Sequence, residues 1–247
     1  MTEKEVVQEI TNNILYNASY LKIYFLVVVY FLFLYFVVGA LFLEVCKYLY
    51  RKNSLHKIVE KEVTKKQIKF EIKHSLQSIF IFGFSAFPII YLISAGDINL
   101  LPDTFLNVLV GLVILTLWNE IHFFIVHRIL HIRFFMRHVH FVHHTSNIPT
   151  VYSVYSFHWL EALLLSTVPL TIVPFISFSP IAILLYPFAS ILLNYAGHCN
   201  YRFGNGTGVS CKLFGTHHNE HHFKAKKNYG FALSFLDKLY ALFIKNK

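Results

Sequence analysis

Residues 21–43 read LKIYFLVVVYFLFLYFVVGALFL, with Lys22 as the one charge, at the very edge. As an α-helix rising 1.5 Å per residue this stretch is about 34 Å long, enough to cross the hydrocarbon of a bilayer. It has no polar face to turn toward water. Inside a bilayer each backbone polar group must pair within the protein, so the reading is an all-α integral membrane bundle.

The rest of the chain agrees. Its 247 residues are 55% hydrophobic, 17% aromatic and only 14% charged, with a mean hydropathy of +0.52, too oily for an ordinary soluble domain. Residues 1–19 are polar, with Glu3, Glu5 and Glu9 and no basic region ahead of the apolar run, so a cleaved signal peptide is not expected. Residues 47–73 hold nine Lys or Arg interleaved with Leu55, Ile58, Val59, Val63, Ile68, Phe70 and Ile72. That spacing predicts a basic amphipathic helix on the membrane surface, with a solvated basic loop as the alternative. Residues 76–94 and 104–126 form an apolar hairpin around the turn-rich stretch 95–103. Residues 160–176 and 181–197 form a second, with kinks predicted at Pro169, Pro174 and Pro187. The expectation is a single membrane domain, 1–247, with four or five spans.

The net charge of +9 follows this layout rather than a nucleic-acid stripe: apart from Lys4 and Lys22, the 22 Lys and Arg fall within 47–73, 128–137 and 202–247. A five-span arrangement puts these segments on one side, which the positive-inside rule makes the cytoplasm, with the N-terminus opposite. Cys46, Cys199 and Cys211 have no Cys-x-x-Cys spacing and read as reduced bystanders. The run 204–208, rich in glycine, lacks the ending of a phosphate-binding loop and reads as a turn. Asn17 and Asn205 match glycosylation acceptors, the first close to the membrane and the second on the predicted cytoplasmic side.

Of the 15 histidines, all but His56 and His74 lie between His122 and His222, and most form three tight groups. His127 and His131 share one helical face at i and i+4. His140-Phe-Val-His143-His144 and His218-Asn-Glu-His221-His222 repeat a pattern of i, i+3 and i+4. All three groups fall on the predicted cytoplasmic side, as a histidine-rich cap on the bundle. Imidazole is the commonest ligand of transition metals, and eight donors exceed the needs of one zinc, so two metal ions are indicated. His198, at the end of the last span, is a ninth candidate. Iron is the redox-active choice, since zinc has one oxidation state. Glu120, two turns before His127, is expected to accept a hydrogen bond from a ligand imidazole, with helix packing against His122 or Trp118 as the alternative. His158, with Glu161 one turn on, reads as a support for the ligands, as a substrate-facing residue or as an interfacial anchor. His217 is a spare candidate, and His56, His74, His122 and His138 read as packing or surface residues.

These motifs resemble the fatty acid hydroxylase and sterol desaturase superfamily. The resemblance runs from about Glu120 to Tyr240, within a catalytic region of about 104–240. It rests on His127-Arg128-x-x-His131, the two His-x-x-His-His groups, His158 with Glu161, His198, Asn228-Tyr229-Gly230 and Asp237. It implies an oxidoreductase with two iron ions cycling between Fe2+ and Fe3+, O2 as co-substrate and a lipid as substrate. Electrons would come from a separate donor such as a b-type cytochrome, a ferredoxin or a reductase. It makes the metal ligands His127, His131, His140, His143, His144, His198, His218, His221 and His222, with Glu120, His158, Glu161 and Asn194 as candidates for the surrounding shell. Asn194 departs from relatives that carry histidine four residues before His198. The competing readings are a membrane metal transporter, which would carry its ligands in mid-span, and a metal-binding scaffold without catalysis.

Overall fold

The computed structural model describes residue 9 and residues 13–203, 216–224 and 227–245; Glu3, Glu5, Cys211 and the stretch 204–208 with Asn205 lie outside the described residues. Among the described residues four helices are long and apolar enough to cross a membrane: α1 (Tyr20–Arg51), α2 (Lys65–Ser94), α3 (Phe105–Leu130) and a last one over Pro180–His198. Each starts on a hydroxyl cap, in which the side chain of Ser19, Thr64, Thr104 or Ser179 accepts a hydrogen bond from a backbone N–H three residues on. Their outer faces are apolar: Leu21, Val29, Leu41 and Phe105 are all more than 60% exposed. Only lipid tolerates so much apolar surface, and the chain is a multi-pass membrane protein.

Two of the long helices are interrupted. In α1, Phe33–Val38 is a π-helical turn, and the Tyr195 hydroxyl reaches the carbonyls of Leu34 and Tyr35 at 2.9 and 3.0 Å. The irregular turn thus has its polar partner in the last span. Gly39 lets that ring approach, since a Cβ there would lie 2.7 Å from the Tyr195 hydroxyl. In α2 the helix breaks after Phe82, where a Cβ on Gly83 would meet Tyr24 at 2.5 Å and Val28 at 2.7 Å.

The segment 47–73 is not the surface helix its spacing suggests. α1 continues to Arg51, Asn53 takes a left-handed backbone (φ 56°), β1 (Leu55–Lys57) pairs antiparallel with β2 (Tyr201–Phe203), and α2 starts at Lys65. Tertiary pairing overrides the helical periodicity, and Asn200 supplies it: its carbonyl accepts from Ile58 N, and its side chain pairs both ways with Val59 at 3.0 and 2.8 Å.

The apolar run 160–176 is likewise no continuous span. α4 covers only Trp159–Ser166 and a 3-10 turn follows at Pro169–Thr171, as prolines without a backbone N–H dictate. The chain still travels the length of the bundle here, since Phe178 accepts from Leu101 N at 2.9 Å and Ile181 N donates to Asp103 at 3.1 Å. Non-helical backbone here is partly covered by protein and its side-chain hydroxyls are engaged. Val168, Ile172 and Val173 are buried, while Trp118 and His122 bond Thr171 and Thr167 at 2.9 and 3.0 Å. The last long helix, α5 (Pro180–His198), then returns to the end where α3 finishes.

Candidate metal centre

Four chain segments converge at that end. The last turn of α3 and its C-cap bring His127 and His131. An irregular helix, Arg133–Phe135, a π turn over Met136–His140 and Phe141–His144, brings His140, His143 and His144. α5 ends on His198, and α6 (Thr216–Lys224) carries His218, His221 and His222. All nine imidazoles singled out from the sequence meet there, in two adjoining groups. One ring nitrogen from each of His127, His131, His140, His144 and His221 lies within 4.8 Å of the others, and the same holds for His143, His198, His218 and His222.

The hydrogen bonds on the outward nitrogens decide which nitrogen faces in. His127 Nδ1 meets the Tyr229 carbonyl at 2.8 Å, His140 Nδ1 meets Glu161 Oε1 at 2.8 Å, His198 Nδ1 meets the Asn194 carbonyl at 2.9 Å and His221 Nδ1 meets the Lys227 carbonyl at 2.6 Å. Carbonyls and carboxylates accept only, so these Nδ1 atoms carry the protons and the lone pairs of Nε2 point inward. His127 Nε2 and His140 Nε2 are buried with no partner, and Nε2 of His221 sits 3.0 Å from that of His131 and 3.2 Å from that of His144. Burial, then repulsion among would-be imidazolium rings, pushes His131 and His144 down to about 3, against an ordinary value of 6.5. Burial also holds His221 at about 4 and keeps His140, His143, His218 and His222 well below the ordinary range. Crowded, neutral, inward lone pairs without donors are what a transition-metal cation satisfies, and the donor set fits two such ions.

The four candidates for the surrounding shell divide. Glu161 does meet an imidazole, with both it and His140 about 1% exposed. Glu120 does not: its carboxylate accepts from the backbone N–H groups of Phe231, Ala232 and Leu233 at 2.8–3.2 Å. This corrects the expectation that it pairs with a ligand. Glu120 and Asp237, which accepts from Tyr229 N and Gly230 N at 2.8 and 2.9 Å, clamp the turn whose Tyr229 carbonyl orients His127. Gly230 is required in that clamp, since a Cβ would lie 2.2 Å from the Leu233 carbonyl. His158 caps α4 through Leu160 N at 3.3 Å and belongs to neither group. Asn194 lends its backbone carbonyl to His198 while its side chain donates to the Val154 carbonyl at 3.0 Å. The carbonyls of Tyr229 and Lys227 are site elements that sequence reasoning missed; Asn228-Tyr229-Gly230 was the available signal.

A cavity of about 360 Å³ lies within the bundle, lined in part by residues of α1, α2 and α5. Its lining is apolar apart from a few amides and hydroxyls, and it includes Phe123, Phe157 and Phe231. Phe123 touches the rings of His127 and His218 (4.8 and 5.8 Å between centroids), and Phe157 touches His143 at 4.9 Å. Phe123 and Phe157 thus form a wall between the cavity and both imidazole groups.

The family model for fatty acid hydroxylase matches residues 112–241. Over 149 residues the chain is 25% identical to the lathosterol oxidase of Rattus norvegicus, an alignment covering 58% of this chain and 48% of that protein. The chain thus spans about half the length of this relative. No solved structure matches it. Since the family match covers more than half of the 247 residues, the chain belongs to the fatty acid hydroxylase family.

Proposed function

We propose that the chain is a membrane-bound non-haem di-iron oxygenase that hydroxylates or desaturates a lipid, using O2 and electrons from a separate donor. The carrying observation is the pairing of two buried imidazole groups with an apolar cavity whose lining residues Phe123 and Phe157 pack against them. His127, His131, His140, His144 and His221 would hold one ion, and His143, His198, His218 and His222 the other. Iron held there supplies the one-electron chemistry with oxygen that an unactivated C–H bond demands.

The protein's own residues orient and exclude. Glu161 and the carbonyls of Tyr229, Asn194 and Lys227 hold the Nδ1 protons of four imidazoles and so keep their Nε2 atoms directed at the ions. Phe123, Phe157 and Phe231 keep water from the inner end and guide an apolar chain toward the two groups. The basic residues near the histidine end give an acidic electron donor its docking charge, and the positive-inside rule makes that end cytoplasmic. A relative named for oxidising a sterol supports a lipid substrate. The ligands gather at the ends of spans rather than along a mid-bilayer path, which disfavours a transporter.

Anaerobically purified protein is expected to carry close to two irons per chain, and a strain lacking the protein is expected to lose an oxidised lipid. Less than one iron per chain, without iron-dependent activity, would overturn the reading.

A further inference from the structure

Beyond the last histidine group, α7 (Phe235–Lys245) has an apolar face that the described residues leave uncovered. Phe235, Leu239 and Leu242 share one side of the helix at i, i+4 and i+7, and all three are exposed, Phe235 to 65% and Leu242 to 62%. The other side holds the helix to the protein. Asp237 accepts from Tyr229 N and Gly230 N, while Tyr240 meets the Phe124 ring at 6.2 Å between centroids and lies 3.9 Å from the Arg128 guanidinium.

The level at which α7 joins α3 decides what covers the free face. Phe105 and Leu106, which open α3, are apolar and exposed. Counted from Phe105 at 1.5 Å per residue, about 30 Å of hydrocarbon ends close to Phe124. The lipid-facing side of α3 reaches this level and continues past it through Ile121, Ile125 and Ile129, all exposed. Leu233, two residues ahead of α7, is exposed too, and its N–H donates to Glu120 at 3.1 Å. The entry to α7 and its Tyr240 therefore flank α3 between Glu120 and Arg128, where acyl chains give way to headgroups. A water-soluble partner does not reach that level. Lys238, exposed at the edge of the apolar face, fits the same boundary, since its stem can lie on apolar surface while its ammonium reaches a phosphate.

We infer that α7 is an interfacial helix, with Phe235, Leu239 and Leu242 immersed about 5–10 Å into the acyl–headgroup boundary of the leaflet on the histidine side and Lys238 at its phosphates. The helix that carries this face also carries Asp237, so the leaflet seats the turn whose Tyr229 carbonyl orients His127. The inference concerns α7 and the bilayer, and it stands apart from the metal and the reaction.

The test measures depth in the full chain, held one per nanodisc in phosphatidylcholine with phosphatidylglycerol. Cys46 and Cys199 are buried, so a Cys211→Ser background lets a nitroxide attach at an introduced cysteine. Labels at Phe235→Cys, Leu239→Cys and Leu242→Cys are compared with Leu117→Cys, exposed on α3 in mid-span, and Lys61→Cys, exposed ahead of α2. Power saturation then reads collisions with oxygen, which concentrates in the bilayer, and with a nickel chelate confined to water. The oxygen-to-nickel ratio at the three α7 sites is expected to exceed that at position 61 about tenfold and to approach that at position 117. A ratio matching position 61 means open water and overturns the inference. Few collisions with either reagent mean that protein covers the face, and overturn it equally. Hydroxyl-radical footprinting of the unsubstituted chain in the same discs removes any doubt about folding of the variants. Phe235 is expected to oxidise as slowly as Phe84, exposed on α2, and oxidation several times faster overturns the inference.

Discussion

Glu161 offers a direct test of how the imidazoles are held. Its Oε1 accepts from His140 Nδ1 at 2.8 Å, and neither side chain is reached by solvent. Replacement by alanine removes the charged acceptor of the His140 Nδ1–H. A hydrogen bond to a charged group contributes about 1.5–3 kcal/mol, and about 1.4 kcal/mol is a factor of ten in affinity. Glu161→Ala should therefore weaken iron binding by about 10- to 100-fold, the range typical of residues that support metal ligands. Glu161→Gln keeps an acceptor without the charge and should lose about tenfold. The assay titrates iron-loaded protein with a ferrous chelator and measures the iron retained, with thermal unfolding as the control for folding. A folded alanine variant that holds iron at the same chelator concentration as the wild type would refute the role assigned to Glu161.

His131→Ala removes a donor from one group and His222→Ala a donor from the other. Each should lower bound iron by about one per chain and abolish turnover with membrane insertion intact, and turnover surviving in both would remove these residues from the site. With His131 and His144 held at about 3 and His221 at about 4, against 6.5 when free, the unfolded chain takes up protons first as the pH falls. Their neutral burial is fully stabilising above pH 6.5 and its benefit drains away from 6.5 toward 3–4. The melting temperature of metal-stripped protein should accordingly drop between pH 7.5 and 5.5; a flat profile would contradict neutral burial. Gly230→Ala drives a Cβ against the Leu233 carbonyl, displaces the turn that orients His127, and should cost at least tenfold in iron retention; unchanged retention would show that the turn does not position the ligand.

The imidazole sites were legible because ligands on helices repeat at i, i+3 and i+4, a local pattern that survives folding. The roles of the carboxylates were not local. Glu120 lies 111 residues from Phe231, its first backbone partner, and its neighbours on α3 contain no hint of that contact. Glu161 was placed beside His158 by sequence proximity, yet it meets His140, 21 residues earlier. The prolines at 169 and 174 correctly announced disorder in the helical ladder but were read as kinks, and the short α4 with its 3-10 turn is what they produce. The basic run 47–73 misled because its partner strand, Tyr201–Phe203, lies far away in the chain. Cys46 and Cys199 are free and buried, and the Cys199 thiol is directed at the Ala196 and Tyr201 carbonyls, contacts that spacing does not reveal.

The order in which donors enter the two groups has a consequence for biogenesis. The group around His127 has four of its five nitrogens by residue 144 and waits only for His221, whereas the other has His143 alone until His198 and is complete only at His222. A nascent chain that has emerged as far as the last crossing can already chelate one ion but has no cradle for its companion. Were each group to hold one ion, loading during synthesis would be staggered, and a polypeptide stalled near residue 200 would offer four donors of the first cradle and only two of its companion.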